Sequence, residues 1–192
     1  MVWLTEEDVI DKMYQVRESN IADTDALLRL YYFVAATGGG IARNIKEIDR
    51  DYIEHCQLAS KKSGVQFVID DPQNPGEIIA EIHCYALVPG IFSHVLSELT
   101  ILVSPQHQGS GLGKLIFSHL LSYIEHNRPD ILRVELAAKE SNQRAIGLYQ
   151  QLGFKIEGRF ERRINSNGAY EADIPMAWFN KNFNQEKFLT GN

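Results

Sequence analysis

Three glycines stand at alternate positions in one short stretch of this sequence: Gly109, Gly111 and Gly113. Ahead of them, the apolar and β-branched run that ends at Val103 predicts a strand, and Pro105 must stop its ladder because proline has no N–H to donate. Behind them, apolar residues at helical spacing from Leu112 onward predict a helix. A helix N-terminus presents unpaired N–H groups and partial positive charge, and glycine lets an anion approach them closely. The stretch therefore predicts a phosphate-binding loop.

Two common phosphate-binding motifs do not fit the spacing of this loop. A Walker loop needs a glycine where Gln108 stands and a hydroxyl residue where Leu115 follows Lys114. A dinucleotide fingerprint needs a third glycine at the position of Lys114. What remains is Gln108-x-x-Gly111-x-Gly113 after the strand end V-x-P, and the alternative to a ligand site is a glycine-rich turn that binds nothing.

A second pattern lies further along the chain, where Asn142, Ala145, Tyr149 and Gly153-Phe154 follow the spacing N-x-x-A-x-x-x-Y-x-x-x-G-F. The two motifs, in this order, resemble those of the GNAT superfamily of N-acetyltransferases. That family holds acetyl-CoA, with the pyrophosphate on the first motif. The resemblance is much more specific than either motif alone, and it covers most of the chain.

The resemblance implies a set of cofactor-binding residues: Ile101, Leu102, Val103, Gln108, Gly109, Ser110, Gly111, Leu112, Gly113, Lys114, Asn142 and Tyr149. Backbone N–H groups of 108–113 would bind the pyrophosphate. The segment 101–103 would pair with the pantetheine arm like an extra strand, and the Leu102 amide would polarise the thioester carbonyl. Lys114 either adds charge or is solvated, and Asn142 either bonds pantetheine or only caps a helix.

The same resemblance implies two catalytic residues, Tyr149 and Glu98. Tyr149 matches the family tyrosine, whose phenol of pKa ~10 can donate a proton to the leaving thiolate. Glu98 stands where the family often has a glutamate, and it either takes the proton of the acceptor amine or binds the ammonium. If a hairpin is centred near Gly90, His83 lies across from Glu98 and could form a proton-accepting patch with it and Glu81.

The remaining elements predict the framework that positions these residues. Hydrophobic periodicity indicates the order β-α-α-β-β-β-α-β-α-β-β, with helix caps at Asp23, Asp49 and Ser141. The last two strands are predicted over 154–164 and 169–179, joined by a hairpin at Asn165–Gly168. This is also the order of the GNAT fold, an α/β (α+β) fold. We therefore expect a mixed, mostly antiparallel sheet of about seven strands, four helices, and splayed parallel strands at its centre. A bulge near Leu99 to Ile101 would help to splay those strands. Residues 1–179 are expected to form a single acetyltransferase domain, followed by a loose polar tail over 180–192.

Charge is shared unevenly along the chain. Residues 1–100 carry 8 Lys and Arg against 16 Asp and Glu, whereas residues 101–192 carry 11 against 9. This asymmetry suits a cationic acceptor on one side and an anionic cofactor on the other, although it also suits a merely soluble acidic surface. The expected partners are thus acetyl-CoA and an amine acceptor, most simply a cationic small molecule. A protein N-terminus or lysine, or a non-catalytic acyl-CoA sensor, is the alternative.

Composition excludes several other classes of protein. We expect no nucleic-acid partner because no basic patch stands out, and no membrane partner because no apolar run is long enough to span a bilayer. We expect no metal because the six histidines are scattered. Cys56 and Cys84 are expected to be reduced core thiols of a cytoplasmic protein that lacks a signal peptide. The sequence leaves a homodimer open.

Overall fold

A computed structural model describes residues 10, 13–37, 41, 43–166 and 168–186. Within them the α-helices are α1 (Thr24–Ala36), α2 (Arg50–Ser63), α3 (Leu112–Asn127) and α4 (Gln143–Gln151). The strands are β1 (Val16–Glu18), β2 (Gly64–Asp70), β3 (Ile78–Ala86), β4 (Val95–Val103), β5 (Arg133–Lys139), β6 (Lys155–Ile156), β7 (Phe160–Ser166) and β8 (Ala169–Phe179).

All eight strands belong to one mixed sheet, in the order β1-β2-β3-β4-β5-β8-β6, and β7 also pairs with β8. The pair β4–β5 is parallel, and β8 is antiparallel to β5, β6 and β7. The predicted fold class is therefore confirmed. The strand count is eight because the strand predicted over 154–164 is interrupted at residues 157–159 and forms both β6 and β7.

The chain divides into two compact units, and β4 and α3 contribute to both of them. The first unit comprises Met1–Tyr85 and Thr100–Ser122, and the second comprises Ala86–Leu99 and Tyr123–Asn192. The expectation of one domain over 1–179 stays a prediction.

The first unit has an apolar core that joins both of its N-terminal helices to the sheet. It includes Leu27 and Leu30 of α1, Ile53 of α2, Val68 of β2 and Leu102 of β4, all buried. Burial of this apolar surface is the main contribution to the stability of such a core. Leu102, in the predicted cofactor segment, is thus anchored by its side chain.

Side-chain caps in the first unit differ in part from the prediction. Asp49 caps α2, since its carboxylate accepts the N–H of Tyr52 at 2.8 Å. The predicted cap at Asp23 is wrong, because its carboxylate makes no capping bond to α1 and instead accepts from Arg17 at 2.8 and 2.9 Å. Asp23 ends the 3₁₀ turn Ile21–Asp23, and its carboxylate also accepts the N–H of Asn20 at 2.8 Å, so it is engaged before α1 and not at the first N–H groups of that helix.

The second unit is built around β8, which pairs with β5 from Arg133↔Phe179 to Lys139↔Asp173. At the other end of β8 the predicted hairpin forms, where the Asn165 side chain accepts the N–H of Gly168 at 2.7 Å. The start of the predicted loose tail is packed, because the Asn180 side chain is buried and donates to the carbonyl oxygens of Arg128 and Ile131. Residues 187–192 of that tail lie outside the described residues.

Candidate active site

The glycine loop of the first unit leads directly from β4 into α3. After β4 ends at Val103, a 3₁₀ turn follows over Pro105–His107. Gly109 and Gly111 follow with φ of 85° and 86°, values that L-residues with a side chain rarely adopt. The first bond of the helix runs from Leu115 N–H to Gly111 C=O at 3.0 Å. The loop thus has two left-handed glycines immediately before a helix N-terminus, which is the geometry that an anion-binding turn requires.

Three hydrogen bonds hold this loop in place. The Gln108 amide donates to Val103 C=O at 3.2 Å, and the Ser110 hydroxyl donates to His107 C=O at 2.5 Å. At the strand end, Ser104 N–H donates to Ile79 C=O at 2.8 Å. The side chains of Gln108 and Ser110 therefore brace the loop, which leaves backbone N–H groups as its means of binding an anion.

The other predicted cofactor residues of this unit differ in exposure. Leu112 and Leu102 have buried side chains, so only their backbone groups can contact a cofactor. Ile101 and Val103 are half-buried, as expected for the opposite face of the strand, and Lys114 is exposed. The segment from Ile101 to Lys114 thus offers main-chain groups, together with one cation at its end.

Glu98 interrupts the regular geometry of β4 in the second unit. Its φ is 53°, in the left-handed region, and its side chain is exposed. The parallel pairing of β4 with β5 is recorded at Val95↔Arg133 and Leu96↔Val134, immediately before this residue. A left-handed non-glycine residue costs roughly 1–2 kcal/mol and often marks a functional site. The irregularity expected near Leu99 to Ile101 therefore begins at Glu98.

Glu81 and His83 form a buried polar cluster in the first unit. The Glu81 carboxylate is fully buried and accepts from Tyr31 at 3.0 Å, from Gln66 at 2.9 Å and from His83 Nδ1 at 2.8 Å. Cys56, one of the two buried free thiols, lies close enough to His83 to raise the pKa of its imidazole. The sequence could not indicate Tyr31 and Gln66 as partners, because both are distant from Glu81 along the chain.

This environment argues against the predicted role of His83 as a base. Burial lowers the pKa of His83, but the adjacent Glu81 carboxylate and Cys56 raise it by more, so the net shift is upward. An imidazole with a raised pKa is protonated at neutral pH and cannot accept another proton. Both His83 and Glu81 are also inaccessible to solvent. The pair is better described as a buried ion pair than as part of a proton-accepting patch.

Tyr149 and Asn142 lie on α4 in the second unit. The Tyr149 ring is 9% exposed, its centroid lies 6.1 Å from that of Phe154, and burial raises the pKa of the phenol to about 12. A phenol with this pKa stays protonated at physiological pH, which a proton donor requires. Asn142 caps α4 by accepting the N–H of Ala145 at 3.2 Å.

The predicted cap at Ser141 is wrong. Its hydroxyl instead donates to the Glu171 carboxylate at 2.6 Å, which leaves the capping position to the next residue. The capping role of Asn142 is thus observed, and its role toward pantetheine stays a prediction.

A membrane-spanning helix or a metal-binding cluster would indicate another class of site, and the described part of the chain has neither. No helix there is long and apolar enough to cross a membrane. Nor do the described residues contain a group of three or more His, Cys, Asp or Glu side chains placed to hold a metal ion.

Comparison with protein families supports the resemblance seen in the motifs. The model of the acetyltransferase (GNAT) family matches residues 25–154 of this chain. The chain belongs to the GNAT family. The match includes the glycine loop, Glu98 and Tyr149, and it ends at Phe154.

Curated relatives of this GNAT chain include two spermidine N(1)-acetyltransferases. The enzyme of Vibrio cholerae is 25% identical over 125 residues, which cover 65% of this chain and 67% of the relative. The enzyme of Escherichia coli is 29% identical over 98 residues, or 51% of this chain and 52% of the relative. The chain thus matches between half and two-thirds of the length of these relatives.

Solved structures show the same fold. A phosphinothricin acetyltransferase from Sinorhizobium meliloti, in complex with AcCoA, has a TM-score of 0.75 at 16% identity and covers 87% of this chain and 88% of that one. The spermidine N-acetyltransferase from Vibrio cholerae, in complex with CoA and spermine, has a TM-score of 0.71 at 19% identity and covers 90% and 99%. At these identities the likeness concerns the fold alone.

The backbone strain at Glu98 generates a prediction that separates function from stability. Glu98→Gly and Glu98→Ala both remove the carboxylate, but only glycine relieves the left-handed φ. We expect the glycine variant to be more stable than the alanine variant by about 1 kcal/mol, as measured by urea unfolding. Both variants should lose most of the acetyl-transfer activity.

Arg162 provides the control, because its φ of 54° is also left-handed and it lies on β7. Arg162→Gly should likewise be more stable than Arg162→Ala but should keep its activity. Equal stability of the two Glu98 variants would show that the left-handed φ at this position costs no free energy. Full activity in both variants would contradict a role of the Glu98 carboxylate in the reaction.

Proposed function

We propose that this chain is an acetyl-CoA-dependent N-acetyltransferase that acetylates a primary amine by direct attack in a ternary complex. The observation that carries the proposal is the glycine loop between β4 and α3, with its left-handed Gly109 and Gly111, inside a GNAT-family match. Two structural neighbours in complex with AcCoA and with CoA support the choice of co-substrate.

Cofactor binding would rest on main-chain groups. The N–H groups of 108–113 would bind the pyrophosphate, where the partial positive charge of the α3 N-terminus favours an anion. The segment 101–103 would pair with the pantetheine arm, and Leu102 is fixed there by its buried side chain. Its N–H would donate to the oxyanion that forms on the thioester carbonyl during attack.

Two side chains would handle the protons of the reaction. The amine nitrogen forms a bond to the acetyl carbon as the carbon–sulfur bond breaks, and Tyr149 would donate its phenolic proton to the departing thiolate. Glu98 would either accept the proton that the amine loses or bind its ammonium form. In both roles the exposed carboxylate contacts the acceptor, which agrees with its exposure in the structure. Cys56 and Cys84 are buried, which supports direct attack over a cysteine-bound acetyl intermediate.

The acceptor that we favour is a small molecule with more than one cationic centre. The acidic composition of residues 1–100 and the two spermidine N(1)-acetyltransferases among the relatives support this choice. The alternatives are a protein N-terminus or lysine, and a non-catalytic acyl-CoA sensor. A peptidyl-lysine N-acetyltransferase of Escherichia coli, 30% identical over 61 residues, is the observation behind the first alternative.

A panel of acceptors tests the proposed activity. Thiol release from acetyl-CoA should be fastest with polyamines such as spermidine, slower with monoamines, and slowest with a lysine-containing peptide. Initial-rate plots at several concentrations of both substrates should intersect, as a ternary complex requires. Parallel lines would contradict direct attack. If no amine raises thiol release above the rate of acetyl-CoA hydrolysis, the non-catalytic acyl-CoA sensor is the alternative that remains.

Tyr149→Phe tests the proton donor, because it keeps the ring and removes the hydroxyl. We expect the turnover number to fall by about 10²–10⁴-fold with little change in acetyl-CoA affinity, since the lost interaction belongs to the transition state. The pKa of about 12 means that the phenol stays protonated throughout the working range, so the deficit should be constant between about pH 6 and pH 10.

Tyr170→Phe is the matched control, because Tyr170 is exposed and lies in the same unit. It should retain the wild-type turnover number. Near wild-type turnover in Tyr149→Phe, under conditions where chemistry limits the rate, would show that Tyr149 only packs in the core.

A further inference from the structure

A side-chain hydrogen bond links β4 to β5 in the second unit, immediately before Glu98. The recorded parallel pairing of the two strands reaches Leu96↔Val134. At the next position along both strands, the Ser97 hydroxyl donates to one carboxylate oxygen of Glu135 at 2.5 Å. Ser97 is buried at 5% exposure, and a hydrogen bond to a charged group is strong where water is largely excluded. The bond thus extends the link between the strands by one residue.

Arg133 fixes the Glu135 carboxylate from its other side. Its Nε donates to the second carboxylate oxygen at 2.8 Å, so both oxygens of Glu135 are engaged. The same guanidinium donates to Glu157 at 2.8 and 2.5 Å and lies 5.5 Å from the centroid of the Phe179 ring. A guanidinium shared between two carboxylates forms a network, which holds its members better than an isolated surface pair does. All of these residues belong to the second unit.

Glu98 follows Ser97 directly and departs from strand geometry. In a regular strand its side chain would lie on the same face as that of Leu96, which is fully buried, but Glu98 is exposed and its φ is 53°. Such a conformation persists only where the surrounding structure fixes the residue. The Leu96↔Val134 pair and the Ser97–Glu135 bond fix the two residues that precede Glu98.

We propose that Glu135 is a positioning residue, which acts through Ser97 to hold Glu98 in the left-handed conformation that presents its carboxylate to the acceptor amine. The effect on the reaction rests on the proposed function, whereas the hold on the Glu98 backbone can be measured without substrate. Glu135 acts through Glu98 and not on the amine itself. Its loss should therefore have no effect on the reaction once the Glu98 carboxylate is absent.

Urea unfolding tests the hold on the backbone without substrate. Glycine at position 98 is expected to be more stable than alanine because it relieves the left-handed φ. In the Ser97→Ala and Glu135→Ala backgrounds the backbone at this position can relax. We therefore expect the stability difference between Glu98→Gly and Glu98→Ala to fall by about half or more in both backgrounds. Ser97→Ala removes a single oxygen atom and keeps the test available if Glu135→Ala does not fold.

Asp130→Asn is the matched control background. Asp130, like Glu135, is a half-buried carboxylate of the second unit that accepts from an arginine two residues earlier, in this case Arg128 at 2.7 Å. Asp130→Asn should leave the stability difference between glycine and alanine at position 98 unchanged.

Steady-state kinetics test the effect on the reaction. We expect Ser97→Ala and Glu135→Ala to lower kcat/KM for the amine about ten- to hundredfold, as for a misplaced reacting group, and to leave KM for acetyl-CoA unchanged. Ser97→Thr, which keeps the hydroxyl, should retain the activity, with folding verified by thermal melting. In a Glu98→Ala background, neither Ser97→Ala nor Glu135→Ala should lower the residual activity further.

Two results would overturn the inference. One is an unchanged difference between glycine and alanine at position 98 in both the Ser97→Ala and Glu135→Ala backgrounds. The other is a further loss of activity when either substitution is added to Glu98→Ala, since the residue would then act independently of Glu98. If the stability difference falls as expected but the wild type acetylates no amine, the hold of Glu135 on Glu98 stands and the proposed transfer reaction is wrong.

Discussion

The account depends on one local constraint, the left-handed backbone at Gly109 and Gly111 between β4 and α3. These two glycines lead the chain from the turn after β4 into the first N–H groups of α3. Those groups have no partner within a helix, and the aligned peptide dipoles give them partial positive charge. A side chain at Gly111 would be strained by its φ, and its Cβ would lie 2.8 Å from Ile10. The loop is therefore restricted to glycine by its own geometry, before any ligand is considered.

A second constraint is the buried carboxylate of Glu81. Removing a charge from water costs several kcal/mol, which hydrogen bonds and an opposite charge must offset. Tyr31 on α1, Gln66 on β2 and His83 on β3 supply those bonds, and Cys56 on α2 lies close enough to His83 to raise its pKa. The cluster is satisfied only when both helices hold one position on these strands. Because Tyr31 also packs in the same core as Leu102, the cluster helps to fix the predicted cofactor segment.

Much of the fold could be predicted because its signals are local. The strand, proline and glycine sequence around Val103 to Gly113 dictates a strand, a turn and a helix, and all three appear. The Asn165–Gly168 hairpin and the Asp49 cap likewise depend on neighbouring residues. The helix caps predicted at Asp23 and Ser141 are wrong because other side chains bind those residues. Arg17 donates to the carboxylate of Asp23, and Glu171 accepts from the hydroxyl of Ser141. The burial of Glu81 and His83 is likewise not evident from the sequence, because it depends on Tyr31 and Gln66, which are distant along the chain.

The central claim, that the glycine loop binds the pyrophosphate of CoA, is tested most directly by comparing CoA with pantetheine, which lacks the pyrophosphate. Affinities of both ligands would be measured by calorimetry for the wild type, for Gly111→Ala and for Gly76→Ala, a control glycine with φ of 89° in open space. The account predicts that Gly111→Ala lowers the ratio of CoA affinity to pantetheine affinity at least about tenfold, and that Gly76→Ala leaves it unchanged. An unchanged ratio in a folded Gly111→Ala protein would contradict the assignment.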